Sequence, residues 1–197
     1  MNMNGSLRHA SEIRPCPGER LSGDAVVIRP LEHGLFVAII DVLGHGDDAH
    51  ELTRVIDRYL TRFGSSDVSG VMARLHQHIK GTRGAAVGLC AIDTALRRLE
   101  YVGIGNTTLR RFGKAETRLV SRDGVLGQNM RTPLLQSLEL EPDDLIVLYT
   151  DGVSDRFTSD DYPGIATHPP QEVASKIVQR FGKDHDDAAC IAVRYAG

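Results

Sequence analysis

Strand-length apolar segments follow one another between residues 85 and 120, and only short turns separate them. The segments are residues 85–92, 98–104, 107–112 and 117–120, and the turns between them include Gly105-Asn106 and Gly113-Lys114. Parallel strands need a crossover of about a dozen residues or more, so connections this short allow only antiparallel neighbours. This part of the chain is therefore predicted to form an antiparallel meander.

Further strands and helices are predicted on both sides of the meander. Residues 24–28 and 35–40 are apolar runs joined through Pro30 and Gly34, and the second run is continuous, so we expect it to be buried on both faces. Apolar residues at helical spacing predict helices over 52–63, 68–79 and from Pro170 to Phe181, whereas strands are predicted over 135–140, 145–149 and 188–193. Residues 156–170 are expected to form a loop, and the arginine pairs at 97–98 and 110–111 to lie on exposed edges and turns.

This order of elements predicts an α+β fold in which helices cover the sheets, built as a single domain over residues 1–197. The formal net charge is −3, which gives no basic excess for binding nucleic acid. The three cysteines lie far apart, the first 17 residues lack the apolar run of a signal peptide, and no stretch of 18 apolar residues occurs. We therefore expect a cytoplasmic protein that binds neither nucleic acid nor membrane.

Aspartates stand at the ends of the most apolar segments. Asp41 follows residues 35–40, Asp151 follows residues 145–149, and Asp186 and Asp187 precede residues 188–193. Taken singly, Asp151 is better explained as a turn residue and Asp186-Asp187 as part of a solvated loop, whereas Asp41 is explained equally well as an acid near a helix start. Together they would be costly to bury unless a cation neutralises them, and oxygen ligands of this kind suit Mg²⁺ or Mn²⁺.

Four motifs resemble those of the metal-dependent protein serine/threonine phosphatases, in their bacterial sporulation stage-two protein E branch. They are Ser22-Gly-Asp24, Asp41-Val-Leu-Gly-His-Gly46, Tyr149-Thr-Asp-Gly-Val-Ser-Asp155 and Asp186-Asp187-Ala-Ala, and they span almost the whole chain in the family's order. The small size and the segment Tyr101-Val-Gly-Ile-Gly-Asn106 are most similar to the RsbX type of stressosome phosphatase. The resemblance implies two antiparallel sheets in a sandwich flanked by helices, with metals in a cleft at one end.

The resemblance also implies a role for each motif residue. Asp41 would bridge two Mn²⁺ or Mg²⁺ ions, the carbonyl of Val42 would bind the first, and Asp151 and Asp186 would bind the second. Asp24 would bind a metal directly or through water, and Asp187 would support the ligands. A metal-bound water would then attack the phosphorus in line, without a phosphoenzyme.

Two features depart from the family pattern. Many members carry a histidine two residues after the bridging aspartate as a general acid, but Leu43 stands there. His45, two residues further on, is one candidate for that role, and water or no acid at all are the alternatives. The arginine that binds the substrate phosphate near the N-terminus of many relatives has Arg14 and Arg20 as candidates.

The resulting hypothesis is a phosphoserine/phosphothreonine protein phosphatase whose substrates are the phosphorylated STAS-domain proteins of a stressosome. A second hypothesis keeps the chemistry and makes the substrate a phosphorylated anti-sigma-factor antagonist. A third is a metal-dependent phosphodiesterase or small-phosphomonoester hydrolase, and a fourth is a non-catalytic binding module that keeps the fold. Retention of all three acid clusters argues against the fourth hypothesis.

Overall fold

The computed structural model describes residues 6–158 and 161–197. Within them lie ten strands, three α-helices and one short 3₁₀ helix, Ile165–Thr167. The strands are β1 (Leu7–Arg14), β2 (Asp24–Leu31), β3 (Gly34–Val42), β4 (Ala85–Asp93), β5 (Arg98–Ile104), β6 (Thr108–Phe112), β7 (Thr117–Val120), β8 (Gln136–Glu139), β9 (Leu145–Tyr149) and β10 (Ala188–Tyr195). The helices are α1 (Asp47–Phe63), α2 (Val68–His78) and α3 (Pro170–Phe181).

The strands form two five-stranded antiparallel sheets. One has the order β1-β10-β9-β6-β7 and the other the order β2-β3-β4-β5-β8. The meander predicted over residues 85–120 is therefore correct for the pairs β4–β5 and β6–β7 but wrong between β5 and β6, because the chain passes from one sheet to the other at Gly105-Asn106. Three apolar layers hold the architecture together: one between the sheets, one under α1 and α2, and one under α3. The fold is therefore a sandwich flanked by helices, which confirms the predicted α+β class.

Strand β3 shows how the sequence builds this arrangement. Its buried side chains alternate, so that Leu35, Val37 and Ile39 join the layer between the sheets, whereas Phe36, Ala38 and Ile40 pack under α1 and α2. A strand covered on both faces has no solvent face, which explains why its sequence is continuously apolar. The prediction that this strand is buried on both faces is confirmed.

The chain also contains a strand that was not predicted. β1 pairs antiparallel with β10 from Leu7 opposite Tyr195 to Arg14 opposite Ala188, at the edge of its sheet. Its sequence, LRHASEIR, is largely polar and its residues are exposed or half-buried. A polar edge strand gives no apolar signal, because its stability comes from backbone pairing with a buried neighbour. The residues before Ser6, part of the segment in which no leader was expected, lie outside the described residues.

The structure corrects one prediction about the surface. The pair at 110–111 was expected on an exposed edge or turn, but the Arg110 side chain is only 7% exposed. Its guanidinium contacts Glu116 and the carbonyl of Phe157, and it lies 4.4 Å from the centre of the Phe157 ring. An arginine is tolerated in this position because its charge is paired and its planar group stacks on aromatic rings.

The predicted loop over 156–170 contains the short 3₁₀ helix, and residues 159–160 of that loop lie outside the described residues. None of the helices in the described ranges has both the length and the apolar character needed to span a bilayer.

Candidate active site

One end of the sandwich carries a polar layer between the two sheets. Along each strand, alternate residues face the same way, so the side chains that continue the inner apolar rows can be identified. Asp41 continues the row of Val37 and Ile39, and Asp24 pairs with Asp41 across the β2–β3 ladder. From the other sheet, Thr150 continues the row of Ile146 and Leu148, and Asp187 continues that of Ala189 and Ile191.

The two sheets are joined within this layer by Thr150, which sequence reasoning missed as a site residue. Its hydroxyl donates a hydrogen bond to Oδ2 of Asp24 at 2.7 Å and accepts one from the backbone N–H of Ala189 at 3.0 Å. Thr150 and Asp24 are both buried. The strand alternation is the signal that would have identified Thr150, since it places this residue on the inner face one position before Asp151.

Asp187 is fully engaged by the backbone. Its Oδ1 accepts from the N–H of Cys16 at 2.7 Å, and its Oδ2 accepts from the N–H of Gly23 at 2.8 Å. Both contacts are buried or partly buried and join the C-terminal strand to the segment before β2. This carboxylate therefore holds the segment that carries Asp24 in place.

The remaining acids lie close enough to repel one another. Burial and the charges of Asp151 and Asp186 raise the pKa of Asp41 from 3.8 to about 8. Burial and the charge of Asp41 raise the pKa of Asp24 well above its ordinary value. Burial and the charge of Asp151 raise the pKa of Asp186. The structure thus brings together all five predicted aspartates in one electrostatically strained cluster.

This cluster fits a hard divalent cation by the chemistry of its donors. All its side-chain donors are carboxylate oxygens. Burial and neighbouring acids raise the pKa of Asp24, Asp41 and Asp186, and a bound cation would relieve the cost of keeping these carboxylates together. In residues 6–158 and 161–197, however, no three His, Cys, Asp or Glu side chains converge in a ready-made ligand arrangement. Binding would therefore require side-chain adjustment or ligands of other kinds, such as water and the Val42 carbonyl.

Asp151 is positioned by the turn that follows β9. Its Oδ2 accepts a hydrogen bond from the side-chain amide of Asn106 at 2.6 Å. The next residue, Gly152, packs so closely on β10 that an added Cβ would lie 1.7 Å from the carbonyl oxygen of Asp187. Only glycine fits there, so the Asp-Gly pair reflects a close backbone approach that aligns Asp151 with the Asp186-Asp187 segment.

The loop after Asp41 is held from two directions. The N–H of Val42 donates to the carbonyl of Gly23 at 3.2 Å, and Nη1 of Arg83 donates to the carbonyl of Leu43 at 3.2 Å. Nη2 of Arg83 also contacts Oδ2 of Asp48, in the first turn of α1, at 3.1 Å. Arg83 thus joins the loop that carries the Val42 carbonyl to the start of the helix.

His45 lies at the rim of the site. Its side chain is 63% exposed and its Nδ1 lies 3.0 Å from Oε1 of Glu19. The structure places no contact between His45 and the acid cluster. A role for His45 as general acid stays a prediction.

The two arginine candidates differ in their surroundings. Arg14, at the end of β1, donates to the carbonyl of Lys183 and lies 3.9 Å from Asp184, so it contacts the segment that leads to Asp186. Its Nε is buried without a partner among the described residues. Arg20 is exposed. Neither arginine is fixed as a phosphate ligand by these contacts.

Comparisons with known proteins agree with this geometry. The family model described as Stage II sporulation protein E (SpoIIE) matches residues 32–196. Among curated proteins, the chain is 29% identical to "Phosphoserine phosphatase RsbX" of Bacillus subtilis (strain 168) over 89 residues, which are 45% of each chain. The match thus spans about half the length of that relative.

Two solved structures show the same fold. One is a chain from work on the bacterial stressosome as a modular system adapted to control secondary messenger signalling, with a TM-score of 0.88, 23% identity and coverage of 96% of this chain and 100% of that one. The other is RsbX in complex with magnesium, with a TM-score of 0.80, 20% identity and coverage of 96% and 95%. At these identities the structures establish the fold, and the family model establishes the relationship: the chain belongs to the SpoIIE family.

Proposed function

We propose that this protein is a Mn²⁺- or Mg²⁺-dependent protein serine/threonine phosphatase whose single catalytic domain comprises the whole chain. The observation that supports this most strongly is the convergence of five aspartates from both sheets at one end of the sandwich, where burial and neighbouring charges raise the pKa of Asp24, Asp41 and Asp186. Family membership and the similarity to a phosphoserine phosphatase also support a phosphatase function.

The site residues fall into two groups: those that would bind a metal, and those that orient the metal-binding residues. Asp41, Asp151 and Asp186, with the carbonyl of Val42, would bind the ions, and Asp24 would bind directly or through water. Thr150, Asn106 and Asp187 orient these ligands through the hydrogen bonds described above. When bound, two divalent ions would supply a nucleophilic hydroxide at neutral pH and offset the charge on the phosphoryl oxygens.

We infer that the substrates are phosphorylated STAS-domain proteins of a stressosome in the cytoplasm. This rests on the similarity to RsbX and to the stressosome-associated structure. The surface beside the acids suits a folded protein, because Leu21 and Leu43, which flank Asp24 and Asp41 in the sequence, are 38% and 42% exposed.

The test is hydrolysis of a phosphoserine-bearing STAS-domain protein by the purified chain. Phosphate release should require Mn²⁺ or Mg²⁺, stop on addition of EDTA, and fall by at least about a hundredfold in Asp41→Asn and Asp151→Asn. Glu32→Gln is the matched control, since it removes one charge from the exposed β2–β3 turn at the other end of the sandwich.

Full activity in EDTA, or in both aspartate variants, would contradict the metal mechanism. Release from a phosphorylated anti-sigma-factor antagonist but not from a stressosome protein would change the substrate and keep the chemistry. Preference for a nucleotide or a phosphodiester would move the protein to another hydrolase class. Tight binding without any turnover would support a non-catalytic binding module.

A further inference from the structure

A cavity of about 200 Å³ opens directly beside Asp151. Its wall includes Asn106, which holds Asp151, together with Asp155, Arg156 and Lys183. The cavity therefore adjoins the acid cluster and contributes two basic side chains at its border.

The acids in this wall are already occupied. Asp155 accepts from the hydroxyl of Tyr149 at 2.7 Å and from Nη2 of Arg118 at 2.5 Å. Asp151 accepts from Asn106 and belongs to the acid cluster. Both acids of the wall are thus engaged by hydrogen bonds, from Asn106 and Tyr149 within the wall and from Arg118.

The basic side chains of the wall are not used in ion pairs. Neither Arg156 nor Lys183 forms a salt bridge with any carboxylate in the described ranges. The backbone of Lys183 is nevertheless fixed, because its N–H donates to the carbonyl of Gly152 at 2.7 Å and its own carbonyl accepts from Arg14. The charge of Lys183 also acts on Asp186, where it partly offsets the rise in pKa caused by burial and Asp151, although the two side chains form no salt bridge. A half-buried lysine with an anchored backbone and no salt-bridge partner among the described residues is arranged to bind an anion from outside.

Under the proposed function, the phosphoryl group of a substrate would lie over the acid cluster, where the metals would bind. The side chains of Lys183 and Arg156 in the cavity wall would then be left to bind a second anionic group of the substrate. Residues next to a phosphoserine lie about 3.3–3.8 Å apart along an extended chain, and an acidic side chain one to three positions away would reach a cavity that shares Asp151 with the cluster.

We propose that this cavity binds a carboxylate side chain close to the phosphoserine of the protein substrate, and that Lys183 and Arg156 determine the preference for acidic sequences. The inference rests on the proposed function and adds a substrate class to it. It predicts that the enzyme selects phosphoserine sites with Asp or Glu nearby over sites with neutral neighbours.

The experiment compares two fluorescein-labelled phosphoserine peptides that differ only in Glu or Gln at the positions flanking the phosphoserine. The wild type should bind and hydrolyse the Glu peptide better. Lys183→Ala and Arg156→Ala should each reduce that preference about threefold, as expected for a charge pair at a partly exposed site, and should leave hydrolysis of p-nitrophenyl phosphate unchanged. Lys114→Ala is the control, because it removes an exposed lysine in the β6–β7 turn at the far end of the sheet.

A charge reversal makes the test independent of simple loss of structure. Lys183→Glu should invert the preference, so that a peptide with Lys in the flanking positions binds better than the Glu peptide. The preference of the wild type should also shrink in 0.5 M NaCl, where the screening length falls to about 4 Å. Circular dichroism and thermal melting of each variant should match the wild type.

Equal losses on both peptides and on p-nitrophenyl phosphate would overturn the proposal, because the cations would then serve the phosphoryl group itself. Absence of any Glu-over-Gln preference in the wild type would also overturn it. If the wild type hydrolysed none of the substrates with Mn²⁺, the proposed phosphatase function would fail. Peptide binding by fluorescence anisotropy would still decide whether the cavity recognises carboxylates.

Discussion

Replacing Asp41 with asparagine should stabilise the metal-free protein while it abolishes phosphatase activity. The carboxyl of Asp41 lies at the end of the inner apolar row, and burial together with Asp151 and Asp186 raises its pKa to about 8. Asparagine has nearly the same shape and carries no charge. The substitution therefore removes the free-energy cost of burying an ionisable carboxyl beside other acids, and it leaves no cavity.

The magnitude follows from linkage. In the unfolded chain Asp41 has an ordinary pKa of 3.8, whereas in the folded chain it is about 8. The folded state binds the proton more tightly, so the contribution of Asp41 to the free energy of unfolding is greatest below about pH 4, falls as pH rises towards about 8, and then levels off. At pH 7 the solution is about three pH units above the pKa of the unfolded chain, and each unit corresponds to about 1.4 kcal/mol. Asp41 therefore lowers the free energy of unfolding at pH 7 by at most about 4 kcal/mol relative to acid pH.

Rotation of neighbouring carboxylates towards water relieves part of this repulsion, so we expect Asp41→Asn to gain about 2 kcal/mol at pH 7. For a chain of this size that corresponds to a rise of about 4–8 °C in Tm. Mn²⁺ should stabilise the wild type by mass action and the variant much less, because the variant lacks the bridging ligand.

The assay is thermal melting in EDTA from pH 5 to pH 8.5, followed by titration with Mn²⁺. Glu32→Gln removes one negative charge at the exposed opposite end and should leave Tm within about 1 °C of the wild type. A Tm for Asp41→Asn that is equal to or below that of the wild type at pH 7.5, or a wild-type stability that does not change with pH, would refute the electrostatic argument.

Two further substitutions test the geometry of the site. Gly152→Ala should lower the free energy of unfolding by about 2–4 kcal/mol in urea denaturation and disrupt Mn²⁺ binding, because the Cβ would overlap the carbonyl of Asp187. Gly18→Ala is the comparison, since Gly18 has open space around it and the substitution should cost only about 1 kcal/mol for its positive φ. Equal stability of the two variants would contradict the close approach. Thr150→Val should remove the hydroxyl that donates to Asp24, lower the free energy of unfolding by about 1–2 kcal/mol and weaken Mn²⁺ binding in calorimetry. Thr150→Ser keeps a hydroxyl and should restore both stability and Mn²⁺ binding. Unchanged Mn²⁺ affinity in Thr150→Val would show that Asp24 needs no orientation by Thr150.

The sequence predicted most of the secondary structure because the buried elements carry strong local patterns. β3 and β9 are continuous apolar runs, and α1 repeats its apolar residues at helical spacing. The short turns between β4 and β5 and between β6 and β7 enforced antiparallel pairing. The turn at Gly105-Asn106 is equally short but carries the chain from one sheet to the other, which turn length alone cannot reveal. β1 was not predicted because a polar edge strand is stabilised by pairing with its neighbour, and that neighbour, β10, lies at the other end of the chain.

The site was predictable in part for the same reason. Asp41 and Asp151 were identified because each ends a buried strand, a local signal that can be read without a fold. The contacts that hold them join residues distant in sequence, such as Asn106 with Asp151 and Arg83 with Leu43. Side-chain contacts of this kind have no periodic pattern, so only the structure shows them.

The polar layer explains why this fold keeps acids that cost it stability. Each sheet alone would expose one inner row ending in carboxylates, and only closure of the sandwich brings the rows together. The hydrogen bond from Thr150 to Asp24 is made across that closure, and so is the contact of Asp187 with Gly23. Correct packing of the apolar layer between the sheets therefore fixes the carboxylates in register and raises their mutual repulsion at the same time. A bound divalent ion offsets that repulsion only in the closed sandwich, so metal affinity and the stability of the inter-sheet core should rise and fall together.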